Sequence, residues 1–168
     1  GEDSVEHGGG GMKLRTEDMA KFTYFLLHRG EWEGKQLLRT SWFDRACVKQ
    51  IETLHDSENH TGDWGMGYGY QCWMGTQAGS FRADGAYGQF GLVYPALDLI
   101  VVMTTATEQT QTLLTSLAKY LLPAVKEQPL PESIASTSLK GELEHLALPM
   151  VHGDRCPHLE KKLDAQVY

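Results

Sequence analysis

Ala83-Asp84-Gly85-Ala86-Tyr87-Gly88-Gln89, running into Phe90-Gly91-Leu92-Val93-Tyr94-Pro95 and then Asp98-Leu99-Ile100-Val101-Val102-Met103, is the stretch whose reading decides the fold. It reads as two antiparallel strands joined by a tight turn, with a glycine-broken entry. Phe90 to Tyr94 is strand-like, Pro95-Ala96-Leu97-Asp98 makes the turn, and Leu99 to Thr104 is a nearly continuous apolar run, as in a strand covered on both faces. A turn of four residues permits only antiparallel pairing. Ser80-Phe81-Arg82 opens the strand, and Gly85 and Gly88 interrupt it, as glycines do at bulges and close backbone approaches.

Upstream, the period of the apolar residues is two. Tyr68, Tyr70, Cys72 and Met74 fall on one face and Gln71 and Trp73 on the other, which predicts a strand over 67–74. Gly75-Thr76-Gln77-Ala78-Gly79 then reads as a hairpin loop. After Thr107 the period becomes helical. Leu113, Leu114, Leu117, Tyr120 and Leu121 make one apolar stripe, predicting a helix from Gln109 to Val125 with Pro123 near its end. Residues 67–105 are therefore expected to form an antiparallel meander with this helix on one face.

Two helices precede the sheet. Thr16 reads as an N-cap with Glu17 and Asp18 in the first turn, Met19, Phe22 and Leu26 lie at helical spacing, and Gly30 stops the helix. Glu31 to Lys35 reads as a turn, and Thr40 or Ser41 caps a second helix through Trp42 and Ala46. Gly8 to Gly11 reads as a tight turn. It is no phosphate loop, since no Gly-Lys-Ser/Thr follows. His55, Asp56, Glu58, His60 and Asp63 lie in a polar loop whose spacing fits no standard metal-ligand pattern, so neither a metal nor a cofactor is expected.

The chain has 168 residues, enough for one substantial core, with 41% apolar and 22% charged residues, ordinary for a globular protein. A net charge of −7 argues against a nucleic-acid surface. No polybasic cluster or apolar run of about 20 residues points to a membrane. Residues 1–11 are acidic and glycine-rich, unlike a signal peptide. Three widely spaced cysteines, Cys47, Cys72 and Cys156, leave at least one unpaired within the chain, which favours reduced thiols and a cytoplasmic protein. Gln128 to Glu132 marks a linker, and Leu139 to Leu148 reads as a short amphipathic helix. The expected organisation is a domain over 1–126, a linker over 127–137, and a short helix opening a further segment over 138–168.

Several strings, in this order, resemble the serine β-lactamase and penicillin-binding-protein-like hydrolases, and their class C and esterase-type relatives in particular. They are the glycine run leading into Thr16-Glu17-Asp18-Met19-Ala20-Lys21-Phe22, then Gly30-Glu31-Trp32-Glu33-Gly34-Lys35, then Gly67-Tyr68-Gly69-Tyr70-Gln71, and finally Asp84-Gly85-Ala86-Tyr87-Gly88-Gln89. The resemblance implies an α+β fold, the C-terminal part of the β-lactamase/transpeptidase-like fold, with an antiparallel meander flanked by helices. It implies hydrolysis of an ester, amide or lactam through an acyl-serine intermediate.

In that family a Lys/His-Thr-Gly triplet walls the site, and Ala83-Asp84-Gly85 occupies its place here. The resemblance assigns the Ala86 N–H to the oxyanion hole and makes Ala83, Asp84, Gly85, Tyr87 and Gln89 substrate-binding. Asp84, standing where the family has Thr or Gly, is expected to repel an anionic substrate. This leans the reading from penicillin toward an esterase- or amidase-like relative. The Ser-x-x-Lys and Tyr-x-Asn elements of the family lie upstream of the glycine run, so the chain by itself is expected to be inactive. Ser116-Leu117-Ala118-Lys119 matches Ser-x-x-Lys in form alone, because it follows the triplet and sits in a helix. The alternative is a non-catalytic binding or scaffold module. Self-association through an exposed sheet edge is expected in either case.

Overall fold

In a computed structural model, residues 11–53 and 62–147 are described. The chain divides into two units, Gly1–Val125 and Lys126–Tyr168.

The first unit is built on a four-stranded antiparallel meander: β3 (Trp73–Met74), β4 (Phe81–Gly85), β5 (Gln89–Tyr94) and β6 (Leu99–Thr104) in that spatial order. Before it come α1 (Thr16–Leu27), the hairpin of β1 (Glu31–Trp32) and β2 (Lys35–Gln36), and α2 (Thr40–Ala46). After it comes α3 (Thr110–Ser116).

The pleat sends alternate side chains of β4 and β5 to opposite faces. Phe81 and Val93, paired across the ladder, meet Leu26 of α1, Phe43 of α2 and Cys72 on one face. Phe90, Leu92 and Tyr94 point the other way, onto Leu114 of α3 and Leu117. The sheet is thus a middle layer covered on both faces. Phe90 and Val93 are fully buried, each contributing roughly 1.5–3 kcal/mol relative to exposure. Gly91 lets α1 approach β5. A Cβ there would lie 2.5 Å from Thr23 Oγ1.

The α+β meander with a helix on one face agrees with the sequence. Four local features differ. Gly85 and Gly88 do not merely interrupt a strand. The chain reverses between them, and Ala86-Tyr87-Gly88 is the three-residue loop of a β4–β5 hairpin, with Tyr87 at φ 63° and Gly88 at φ 87°. A glycine in this left-handed region is what such a loop needs.

The predicted strand over 67–74 also folds back. Gln71 has φ 60°, Gly69 N–H donates to the Cys72 carbonyl at 2.7 Å, and Tyr68 bridges both Ile51 and Trp73. The alternating pattern simply continues through the turn, so periodicity could not reveal the reversal.

The predicted helix from Gln109 to Val125 is α-helical only over α3. A π-helical turn over Leu117–Leu121 and a 3-10 turn over Leu122–Ala124 follow. Pro123, which has no N–H, breaks the regular ladder at this end.

Thr16 does not cap α1. Arg15 holds the cap position, and the Thr16 hydroxyl bonds Thr104 Oγ1 at 2.9 Å, tying α1 to the end of β6. Arg39 likewise precedes α2 with no side-chain cap.

Elsewhere in the first unit the local reading holds. Gly30, at φ 88°, terminates α1, and a Cβ there would meet Phe43 and Leu38. Glu33 and Gly34, both at positive φ, turn the β1–β2 hairpin. In the second unit, α4 spans Ile134–Glu144, starting and ending earlier than the predicted 139–148 helix. Its start is set by a capping box in which Ser133 and Ser136 satisfy each other's backbone N–H groups. The loop histidines His55 and His60, with Asp56 and Glu58, lie outside the described residues, as does Leu148. No helix among the described residues is long and apolar enough to cross a membrane.

Candidate active-site wall

Strand β4 enters the sheet through Phe81 and leaves it through Ala83-Asp84-Gly85. Its neighbours in the ladder are Gly91 beside Ala83, Phe90 beside Asp84 and Gln89 beside Gly85. Ala83, Gly85, Gln89 and Gly91 share the face turned toward α1. The small size of Ala83, Gly85 and Gly91 leaves a cleft of about 400 Å³ between β4–β5, α1 and the segment before it. Ala83, Asp84, Gly85 and Gln89 line this cleft from the sheet side. Met19, Phe22 and Thr23 of α1, with Met12, Lys13 and Leu14, line the other. The cleft brings together four of the predicted site residues. Ala86 and Tyr87 stand at its end in the hairpin loop, both exposed and not part of its lining.

The loop is fixed from β6. Thr105 Oγ1 donates to the Tyr87 carbonyl at 2.7 Å and to the Gly88 carbonyl at 3.1 Å, and Thr107 N–H donates to the Tyr87 carbonyl at 3.1 Å. A Cβ on Gly88 would lie 2.2 Å from Thr105 Oγ1, so only glycine fits. The Gln89 side-chain amide donates to the Thr105 carbonyl, which occupies one end of that side chain. These bonds hold the backbone that follows Gly85 in one course.

Asp84 behaves differently from the sequence expectation. Its carboxylate lies on the α3 side of β4, with Arg82, and accepts from Arg82 Nε at 2.8 Å. The Arg82 guanidinium is almost wholly buried. It stacks over Trp64 at 4.5 Å and donates to the carbonyls of Met74 at 3.1 Å and Asp63 at 3.4 Å. Burial pushes the Asp84 carboxyl above its ordinary value, while the bond from Arg82 and its charge pull it back. The charge expected to repel an anionic substrate is therefore offset by a cation at contact distance. Arg82 is a residue that sequence reasoning missed. The signal was there as Arg-x-Asp, which puts both ions on one face of a strand.

Ser116 and Lys119 are both exposed, and the Lys119 ammonium sits 4.8 Å from the Tyr120 ring. Neither Ser116 nor Lys119 lines the cleft walled by Ala83, Asp84 and Gly85.

A family model described as Beta-lactamase matches residues 1–126. The chain belongs to the beta-lactamase family. Among solved structures, one named as a 6-aminohexanoate-dimer hydrolase from Bacillus anthracis is similar over 68% of the chain, at 23% sequence identity and a TM-score of 0.50. At that identity the likeness speaks for the fold. The chain spans 30% of that protein's length. No curated protein matches the chain in sequence. Family membership places residues 1–126 in a beta-lactamase-type hydrolase fold.

Proposed function

We propose that this chain is the C-terminal portion of a β-lactamase-like serine hydrolase and forms the far wall of its active site. The whole protein would cleave an ester, amide or lactam through an acyl-serine intermediate. Its nucleophile and proton-handling groups would come from Ser-x-x-Lys and Tyr-x-Asn or Tyr-x-Ser elements upstream of the glycine run. The observation that supports this reading is the cleft in which Ala83, Asp84, Gly85 and Gln89 meet across from α1. Ala86 N–H, next along the backbone, would donate to the oxyanion. Gly85 would let the substrate carbonyl come close to the strand. Tyr87, 60% exposed at the loop tip, would cover the bound acyl group.

The cleft is mostly apolar, with Lys13 at its edge. Together with the offset charge of Asp84, this suits an uncharged or weakly anionic ester or amide. The protein would be cytoplasmic, with no cofactor, nucleic-acid or membrane partner. β6 ends the sheet, and no strand pairs with its outer side among the described residues. Self-association would use that edge. A non-catalytic binding module remains the second reading, favoured by Ala83 in place of the family's cation.

The experiment is covalent labelling. The whole protein containing this chain is treated with a fluorophosphonate, which phosphonylates an activated serine, and the adduct is located by peptide mass spectrometry. A labelled serine in a Ser-x-x-Lys element, with the isolated chain unlabelled, is the expected result. A whole protein that takes no label would leave the binding-module reading standing instead.

A further inference from the structure

Cys47 closes α2 at its C-cap, and Cys72 sits just before β3. They are far apart in sequence, yet both belong to the apolar cluster between α2 and the sheet, where Cys47 packs against the group that contains Cys72. The backbone holds them there. Tyr70 N–H donates to the Ala46 carbonyl at 2.9 Å, and Gly69 N–H donates to the Cys72 carbonyl at 2.7 Å. Gly69 is what allows the approach, since a Cβ there would lie 2.2 Å from the Ala46 carbonyl oxygen. Both cysteines are free thiols, Cys72 buried and Cys47 half-buried.

We propose that Cys47 and Cys72 form an oxidative modification site, at which a hydroperoxide converts the two thiols into an intramolecular disulfide tying the end of α2 to the hairpin that leads into β3. This lies outside the proposed hydrolytic site and does not depend on it.

Coupling between the two neighbouring thiols separates their ionisations. It lowers Cys72 below the ordinary thiol value against an opposing effect of burial, and it raises Cys47, the partner that keeps the proton, with burial adding to the rise. The shared proton makes the charge a property of the pair, and access then selects the reacting sulfur. Cys47 is the thiol a small peroxide can reach. When the pair's proton passes to Cys72, the Cys47 thiolate attacks one peroxide oxygen, the O–O bond breaks, and the departing hydroxide takes up a proton as water, leaving a sulfenic acid. Cys72 loses its proton and attacks that sulfur. The S–O bond breaks and a second water leaves. The two thiols are oxidised by two electrons, and the peroxide is reduced to two waters. Closing so long a loop restricts the unfolded chain, so the oxidised form should melt higher, on the order of 5–10 °C.

The test uses the chain with Cys156→Ser alongside the unmodified chain, each exposed to hydrogen peroxide under native conditions. Free thiols are then alkylated and the peptides mapped by mass spectrometry. The expected result is a cross-linked peptide joining Cys47 to Cys72, lighter by two hydrogen atoms, in a monomeric protein with a raised Tm. Dithiothreitol should reverse both changes, and Cys47→Ala should abolish them while circular dichroism shows its fold intact. Recovery of both thiols alkylated, a bond between chains or to Cys156, or an unchanged or lowered Tm after Cys47–Cys72 bond formation would overturn the proposal.

Discussion

Arg82 Nε donates to Asp84 Oδ2 at 2.8 Å from one position to the next on the same face of β4, with Arg82 only 1% and Asp84 only 7% exposed. The pair sits under the Trp64 ring and beside the carbonyls of Met74 and Asp63. It therefore joins β3, β4 and the turn at Gly62–Gly65 into one unit behind the cleft wall. Breaking a buried pair by removing one partner leaves the other desolvated and alone, at a cost of about 3–5 kcal/mol. Arg82→Met should lower unfolding free energy by that amount in urea titration. Arg82→Met with Asp84→Leu should recover most of it, because the stranded carboxylate is gone. A double variant as unstable as the single one would mean that Arg82 acts through its carbonyl contacts instead.

The same carboxyl sets a pH dependence. Its pKa in the folded chain lies above its ordinary value of 3.8, chiefly through burial. A raised acid binds its proton more readily in the folded state than in the unfolded one, so stability falls as pH rises through this interval. The effect begins near the ordinary carboxylate value and is complete above the folded one. Asp84→Asn should remove this component. The difference in Tm between native and variant chains should then shift in favour of the variant as pH rises from about 4 toward neutrality. A difference that moves the other way would place Arg82, rather than burial, in control of the carboxyl.

Gly91 and Thr23 form a second coupled pair, because the Thr23 hydroxyl occupies the space a Cβ on Gly91 would need. Thr23 is itself buried and donates to the Met19 carbonyl at 2.7 Å. Gly91→Ala should cost about 1–3 kcal/mol as overpacking. In the Thr23→Ala background the same change should cost much less, since the nearest remaining atom would be 3.6 Å away. Thermal denaturation of the four proteins measures the coupling. Strict additivity would show that α1 and β5 move apart freely.

Much of this fold is legible in the sequence, for reasons tied to particular residues. Leu99 to Thr104 is apolar on both faces because α1 and α3 cover both faces of β6's sheet, and Pro95 marks its turn. Gly30 and Gly34 mark left-handed turns that few other residues tolerate. What hid was reversal without punctuation. Tyr68, Tyr70, Cys72 and Met74 keep a period of two across a turn made by Gln71 at positive φ. Likewise Gly85 and Gly88 carry the same sequence signature whether they bulge a strand or reverse it. The cleft was half legible. Its sheet side follows from one short string, but Lys13, Met19 and Phe22 come from a segment whose packing no local pattern encodes. The packing of Cys47 against the cluster that holds Cys72 is of the same kind.

Asp84 also bears on substrate choice. With Arg82 bonded to it, its field at the cleft is that of a neutralised pair rather than a lone anion. Asp84→Asn in the whole protein should therefore leave the ratio of kcat/KM for a neutral ester and a carboxylate-bearing ester within about twofold of its original value. Repulsion by an unpaired charge would have given a far larger change. A selective gain for the anionic ester would show that the Asp84 charge reaches the cleft despite Arg82.

Ala86 carries the chemical assignment. The turn that holds it is fixed on its far side by Thr105 and Thr107, which bond the Tyr87 and Gly88 carbonyls, so the Ala86 amide has little freedom to reorient. A donor held in place before reaction is worth more than one that must turn toward the oxyanion. Ala86→Pro removes the N–H donor. In the whole protein it should lower kcat by roughly 10²–10³ while KM changes little, as for loss of one oxyanion-hole donor. Ala86→Ser keeps the N–H and should retain near-native turnover. Proline also constrains the loop, so circular dichroism and the Tm must first match the parent. A folded Ala86→Pro enzyme with unchanged kcat would remove Ala86 from the oxyanion hole and leave the β4–β5 turn a structural element alone.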